Sequence, residues 1–425
     1  MIEPSGGIEA PPSVRVATLD IVRGIAVMGI LAMNIVAFAM PVAAYLNPRA
    51  YGWETSADFW SWLTSFVFID GRMRGLFSFL FGASMLLIIE RAESVGQDAA
   101  RIHFARMACL LLFGLIHFYL IWFGDILALY AAMGMVAWFF RRSPPRLLIL
   151  FGLCLLAIQM ALFTSLAIEA SRLSARAALP NASPEILNSW WRLSQDMAVP
   201  DSSSLRQSLA LYRGDYWGIA HYRLTELTAE PLRSIAMFGW ETLGYMLLGM
   251  AALRSGFLAG NWNDRAYAWI AGAAFAVAIP AYAFAAWMLV QANFAIPALF
   301  AWGLAATVPM RPVMIVAIAA LIIRATRPGG TLVKRIAAAG RAAFTNYLGS
   351  SILMTSLFYG YGGGMFGRLS RSELWLVVVP MWGLMLLWSK PWLDRYRYGP
   401  FEWLWRSLAR GAPESMRRRP ESAAG

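Results

Sequence analysis

Charge is what this sequence has least of. Asp, Glu, Lys and Arg make up 14% of its 425 residues, where a soluble chain of this length carries about 25%. Lysine is confined to Lys334 and Lys390, and histidine to His103, His117 and His221. The two cysteines, Cys109 and Cys154, both lie in apolar runs, which excludes a disulfide framework and a paired-thiol site. The chain also lacks a Gly-x4-Gly-Lys phosphate loop, a His-Glu-x-x-His zinc motif and a Gly-x-Ser-x-Gly nucleophile elbow. No metal site is expected. Residues 1–13 lack the basic start of a cleavable leader, so the first apolar span is expected to stay as an anchor.

What fills the chain instead is apolar. Hydrophobic residues make up 59% and aromatics 14%, and the mean hydropathy is +0.55. At roughly 20 apolar residues per crossing, spans read near 16–40, 74–90, 103–122, 124–140, 146–169, 234–253, 266–289, 294–323, 342–359 and 373–389. The sequence therefore predicts an all-α, polytopic membrane bundle of about ten transmembrane helices. The 294–323 stretch is long enough to break at Arg311-Pro312, although parity favours one crossing.

A net charge of +12 would suit nucleic acid, but its distribution points to membrane orientation. Segments 1–15, 91–106, 141–146, 254–265, 324–341 and 390–425 hold 22 Lys and Arg, against 5 in segments 41–74 and 360–372. Basic residues mark the cytoplasmic side, so both termini are expected there and no nucleic-acid partner is expected. The chain divides into an N-terminal bundle (1–169), an extracytoplasmic loop or cap (170–233), a C-terminal membrane region (234–410) and a basic tail (411–425) expected to be disordered. The 170–233 segment, with Trp190, Trp191, Tyr212, Tyr216 and Trp217, is too aromatic for plain disorder. It reads as short helices over the outer mouth. Residues 57–69 read as an interfacial or re-entrant helix, and 359–364 as a flexible turn.

Ionisable residues inside a bilayer are costly and mark function by default. Asp20 and Arg23 sit three apart on one helical face, either as a functional pair or as a cap and a snorkelling arginine. Asn34 follows about 16 Å further along the same helix, as catalyst or as interhelical glue. His117 and Asp125 flank a turn at a similar depth. His117 is the candidate general base or a structural histidine bonded to a neighbouring helix, and Asp125 orients it, binds a cation or caps the next helix. Arg72 and Arg74 are candidates for holding an anionic substrate group, or for contacting lipid headgroups. At the opposite mouth Arg341, Asn346, Arg395 and Arg406 are candidates for the phosphates of a nucleotide-like cofactor, or for orientation charge and lipid binding.

Six stretches carry a resemblance: Leu-Asp-Ile-Val-Arg-Gly-Ile-Ala-Val-Met-Gly-Ile-Leu-Ala-Met-Asn (19–34), Leu-Phe-Ser-Phe-Leu-Phe-Gly (76–82), Phe-Gly-Asp-Ile-Leu-Ala-Leu-Tyr-Ala (123–131), Leu-Leu-Gly-Met-Ala (247–251), Gly-Arg-Ala-Ala-Phe-Thr-Asn-Tyr-Leu (340–348) and Tyr-Gly-Pro-Phe-Glu-Trp-Leu-Trp-Arg (398–406). In order along nearly the whole chain, they resemble the YeiB family of bacterial inner-membrane proteins, which implies a multi-pass protein of that membrane. The first is also similar to the first-span motif of the transmembrane acyltransferase superfamily, which includes heparan-α-glucosaminide N-acetyltransferase. That resemblance implies acetyl-CoA or another acyl-CoA as co-substrate and a place for Asn34 in the active site. The acetyltransferase has its catalytic histidine shortly after that Asn, whereas residues 35–60 contain none; either His117 substitutes for it or the chain is not an acetyltransferase of that mechanism.

Three functions follow as expectations. The first is acyl transfer from a cytoplasmic acyl-CoA to an envelope-side small-molecule or glycan acceptor. The second is transport or export of a small polar or anionic molecule. The third is a non-catalytic scaffold. The partners expected are membrane lipids and that acceptor, with a homodimer as a candidate assembly.

Overall fold

The computed structural model describes residues 17–197 and 202–417, and among these no strand forms. The elements are α1 (Ala17–Ala39), α2 (Ala43–Leu46), α3 (Ser56–Phe68), α4 (Arg72–Ser94), α5 (Ala99–Ile116), α6 (Leu127–Ala137), α7 (Pro145–Ala177), α8 (Pro184–Met197), α9 (Ser202–Tyr212) and α10 (Tyr216–Thr225). They continue with α11 (Glu230–Arg254), α12 (Asp264–Gln291), α13 (Ile296–Ala298), α14 (Met310–Thr326), α15 (Thr331–Arg341), α16 (Ala343–Phe358), α17 (Trp375–Arg395) and α18 (Pro400–Arg410). Each of the ten apolar stretches read from the sequence holds a helix. Seven are long and apolar enough to cross a membrane, or eight if a pair bent by 48° at residues 306–309 counts as one span. The other two, Leu127–Phe140 and the 16-residue α16, are shorter. The chain is a multi-pass all-α membrane protein.

The break in the bent pair lies just before Arg311-Pro312. Pro309 and Pro312 both fall at the start of α14, where proline is tolerated because a first-turn N–H has no helical partner. α1 forms the axis of the bundle: 78% of its apolar window is buried, against 28% for α5, α7, α12 and α17. Those four turn much of their apolar surface outward, as lipid-facing helices do. Helices meet closely where glycines let backbones touch. A Cβ on Gly249 of α11 would stand 1.8 Å from the Phe79 carbonyl oxygen of α4, and one on Gly82 would stand 2.1 Å from Met246 O. A Cβ on Gly340 of α15 would meet Asp20 O of α1 at 1.8 Å. Small residues at such crossings are the usual means of packing helices in lipid, where burial of apolar surface gives little driving force.

Segment 170–233 carries α8, α9 and α10, which lie at the end of the bundle where α1, α5 and α16 finish. Tyr216 donates to Leu120 O at 2.9 Å and Tyr119 to Thr228 O at 2.8 Å. Gly360 N donates to Tyr212 O at 2.9 Å. The 359–364 turn is anchored at its start, while residues 361–363 are exposed. Tyr359 is fully buried, and a Cβ on Gly360 would collide with Arg213 O. Part of the tail expected to be disordered is likewise held. Arg397 N donates to Met416 O at 2.9 Å, and Trp403 Nε1 to Glu414 O at 2.7 Å. Residues 418–425 lie outside the described residues.

Candidate active site and its arginine-lined pocket

α5 ends in a π-helical turn, His117–Ile121, a distortion common at functional sites. It brings His117 Nδ1 to 2.9 Å from Asp125 Oδ1, with both side chains only 1% exposed. The second oxygen of Asp125 accepts the Ala128 N–H at 2.8 Å. The carboxylate therefore orients the imidazole and caps α6 together. A carboxylate can only accept, so Nδ1 donates to it, and in the neutral imidazole Nε2 is then the nitrogen with the free lone pair. Nε2 is buried without a hydrogen-bond partner. This is the tautomer a general base requires.

Around the imidazole stand Tyr347, 5.2 Å between ring centroids, and Trp122 at 6.2 Å. Trp122 stacks on Phe38 of α1 at 3.8 Å. Asn34 lies one turn before Phe38 on the same face of α1 and is buried. It is not hydrogen-bonded to His117 or Asp125 among the described residues. Three helical turns before Asn34, Arg23 pairs with Asp20 at 3.1 Å and donates to Ser84 Oγ. One face of α1 thus carries Asp20 and Arg23 near one end and Asn34 towards the other, with apolar residues between.

Tyr347 and Ile126 also line a pocket of about 190 Å³. Phe77, Phe81, Met85, Met107 and Leu110 make its wall apolar, while Arg23, Arg106, Arg341 and Arg406 supply four cations. Arg106 lies over Trp405 at 4.2 Å and Arg406 over Tyr398 at 4.6 Å. Stacking on a ring face leaves the N–H edges of a guanidinium directed outward. Glu402 also borders the pocket, but its carboxylate is engaged by Phe344 N at 2.7 Å, Thr345 N at 3.0 Å and the Thr345 hydroxyl. Burial pushes its carboxyl above the usual range.

The sequence candidates separate on this geometry. His117 and Asp125 are joined, and Arg23, Arg341 and Arg406 line one pocket. Asn346 does not line it, because its amide donates to Ala339 O and Ser389 Oγ and accepts from Trp388 Nε1 at 2.9–3.2 Å. Those bonds tie α15, α16 and α17 together and leave nothing for a phosphate. Arg395 is exposed at the end of α17 and also lies outside the pocket. Arg72 and Arg74 are turned into the bundle. Arg74 and Arg311 both pair with the fully buried Glu241, Arg311 at 2.7 Å. Tyr245 donates to the same carboxylate at 3.3 Å. Arg72 lies over Tyr282 at 3.6 Å and donates to Asp70 O.

Glu241, Arg311 and Arg106 escaped the sequence reading. Glu241 is the sole acidic residue in the 234–253 span, so the cost of an intramembrane charge was the signal that could have found it.

A family model described as "Protein of unknown function (DUF418)" matches residues 252–412. The chain is 33% identical to the uncharacterized protein YeiB of Escherichia coli strain K12, over 93% of this chain and 96% of that one. It is 30% identical to the uncharacterized protein YxaH of Bacillus subtilis strain 168, over 92% and 94%. An uncharacterized 39.9 kDa protein from the amylase 3′ region of Bacillus acidopullulyticus is 24% identical over 93% of each chain. No solved structure matches.

Proposed function

The chain belongs to the YeiB family, and from that premise we propose that it is an acyltransferase of the bacterial inner membrane. On this reading it takes an acyl group from a cytoplasmic acyl-CoA, acetyl-CoA among them, and passes it to a small-molecule or glycan acceptor on the envelope side. The observation that carries it is the arginine-lined pocket whose residues Tyr347 and Ile126 stand beside the His117–Asp125 pair. The apolar wall suits a slender pantetheine arm, and Arg23, Arg106, Arg341 and Arg406 suit the phosphates of a nucleotide that stays at the mouth. The excess of Lys and Arg in the segments on the pocket's side supports a cytoplasmic mouth for it.

In the transfer, His117 Nε2 takes the proton of an acceptor hydroxyl or amine as its oxygen or nitrogen attacks the thioester carbon. The C–S bond breaks, and the CoA thiolate receives the proton. Asp125 stabilises the imidazolium formed between these events. Asn34 supplies an amide N–H to the developing oxyanion.

Export of a small anionic molecule is the second reading, and the buried Arg74–Glu241–Arg311 centre favours it. Heat denaturation of the purified protein separates the two. A ligand that binds only the native state must raise its stability, so CoA should protect the parent at low salt and should not protect Arg341→Gln/Arg406→Gln. Equal melting of the parent with and without millimolar CoA or acetyl-CoA would remove the transferase reading.

A further inference from the structure

Arg223 of α10 lies under the cap with no exposed surface, and both of its terminal nitrogens lack a hydrogen-bond partner. Only Nε is engaged, to Ile219 O at 3.4 Å. No carboxylate stands within ion-pair distance among the described residues. The hydroxyl of Tyr359 is also fully buried and unpartnered. Tyr212, Tyr359 and Tyr361 form a chain of ring contacts at 5.0 and 5.9 Å. Burial pushes all three phenols above their usual range, and the Arg223 charge opposes that push. The 359–364 turn is locked onto this group by the Gly360 N–H on Tyr212 O.

A buried guanidinium with no counter-ion and with both terminal nitrogens unpartnered is strongly unfavourable. Its two free N–H edges match a planar or tetrahedral oxyanion in bidentate fashion, and phenolic O–H groups complete such a shell. We propose that Arg223, Tyr359 and their tyrosine neighbours form an oxyanion-binding site that takes a carboxylate or phosphate group. The site lies at the end of the bundle away from Arg341 and Arg406, and it stands whether or not the chain transfers acyl groups. The oxyanion comes from a small solute or from an anionic lipid headgroup.

Thermal denaturation of the full chain in a neutral detergent tests this. The probes are sodium phosphate and sodium acetate against sodium chloride at equal ionic strength, and micelles doped with phosphatidylglycerol against phosphatidylcholine. At saturation the parent should gain about 2–4 °C from at least one probe. A gain from phosphate or acetate makes the source a free solute, and a gain from phosphatidylglycerol alone makes it a headgroup. The gain should vanish in Arg223→Met, shrink in Tyr359→Phe and persist in Arg341→Gln/Arg406→Gln. No gain from any probe overturns the proposal, as does a gain that survives in Arg223→Met or is lost only in the Arg341/Arg406 variant. If Arg223→Met does not fold, Tyr359→Phe decides, since it removes a single hydroxyl: an undiminished gain in that variant overturns the site.

Discussion

Asp125 serves two partners, the His117 imidazole and the Ala128 N–H, and the chemistry of the pair follows from that. His117→Gln keeps a hydrogen-bonding side chain but removes the imidazole that takes the proton. Acyl transfer should fall about 10²–10⁴-fold with little change in melting temperature. Asn34→Ala should lose activity as well, through the lost oxyanion donor rather than through lost proton transfer. Parent-like turnover by both variants would return these residues to interhelical contacts. Glu241 calls for a different measurement. Removing it strands Arg74 and Arg311, so Glu241→Ala should destabilise the protein by about 3–5 kcal/mol in a denaturation assay. An unchanged midpoint would mean the two arginines find other partners. The His117–Asp125 pair was legible in sequence because both residue types are rare in apolar runs. Arg223 was not, since an arginine in a loop-like segment looks solvated until the fold buries it.

Between elements, glycines set how closely helices approach. Gly249 leaves no room for a Cβ against a carbonyl oxygen of α4, whereas a Cβ on Gly272 of α12 meets nothing within 4 Å. Gly249→Ala should cost about 1–3 kcal/mol through overpacking. Gly272→Ala should be neutral or stabilise by about 0.5–1 kcal/mol, as alanine in place of glycine does inside a helix. Paired denaturation curves check this, and equal midpoints would contradict the α4–α11 crossing. The apolar stretches were readable element by element because composition alone identifies them. The break at residues 306–309 was missed by a few residues. Asn346 misled because an Asn beside an arginine cluster looks like a ligand until Ser389 and Trp388 of a distant helix take up its amide.

At the scale of the whole molecule, the basic asymmetry predicts that the segment holding α8–α10 and the residues just after α18 lie on opposite sides of the membrane. Ser189 in α8 and Ser415 after α18 are both exposed. In a background without Cys109 and Cys154, an impermeant thiol reagent added to intact cells should label Ser189→Cys and leave Ser415→Cys unlabelled until the cells are opened. Labelling of both from outside would break the topology. The all-α class and the order of the spans were legible from hydropathy. The union of Arg23, Arg106, Arg341 and Arg406 in one pocket was not, because 318 positions separate the first from Arg341 and only the packed bundle joins them. The measurement closest to the central claim is acetyl transfer itself. Purified protein in vesicles is given labelled acetyl-CoA on the side of Arg341 and an envelope extract on the side of α8–α10. The account predicts labelled, non-protein product on the extract side together with free CoA thiol, and loss of both in His117→Gln. Folded parent protein that releases no thiol and labels nothing at saturating acetyl-CoA would contradict it.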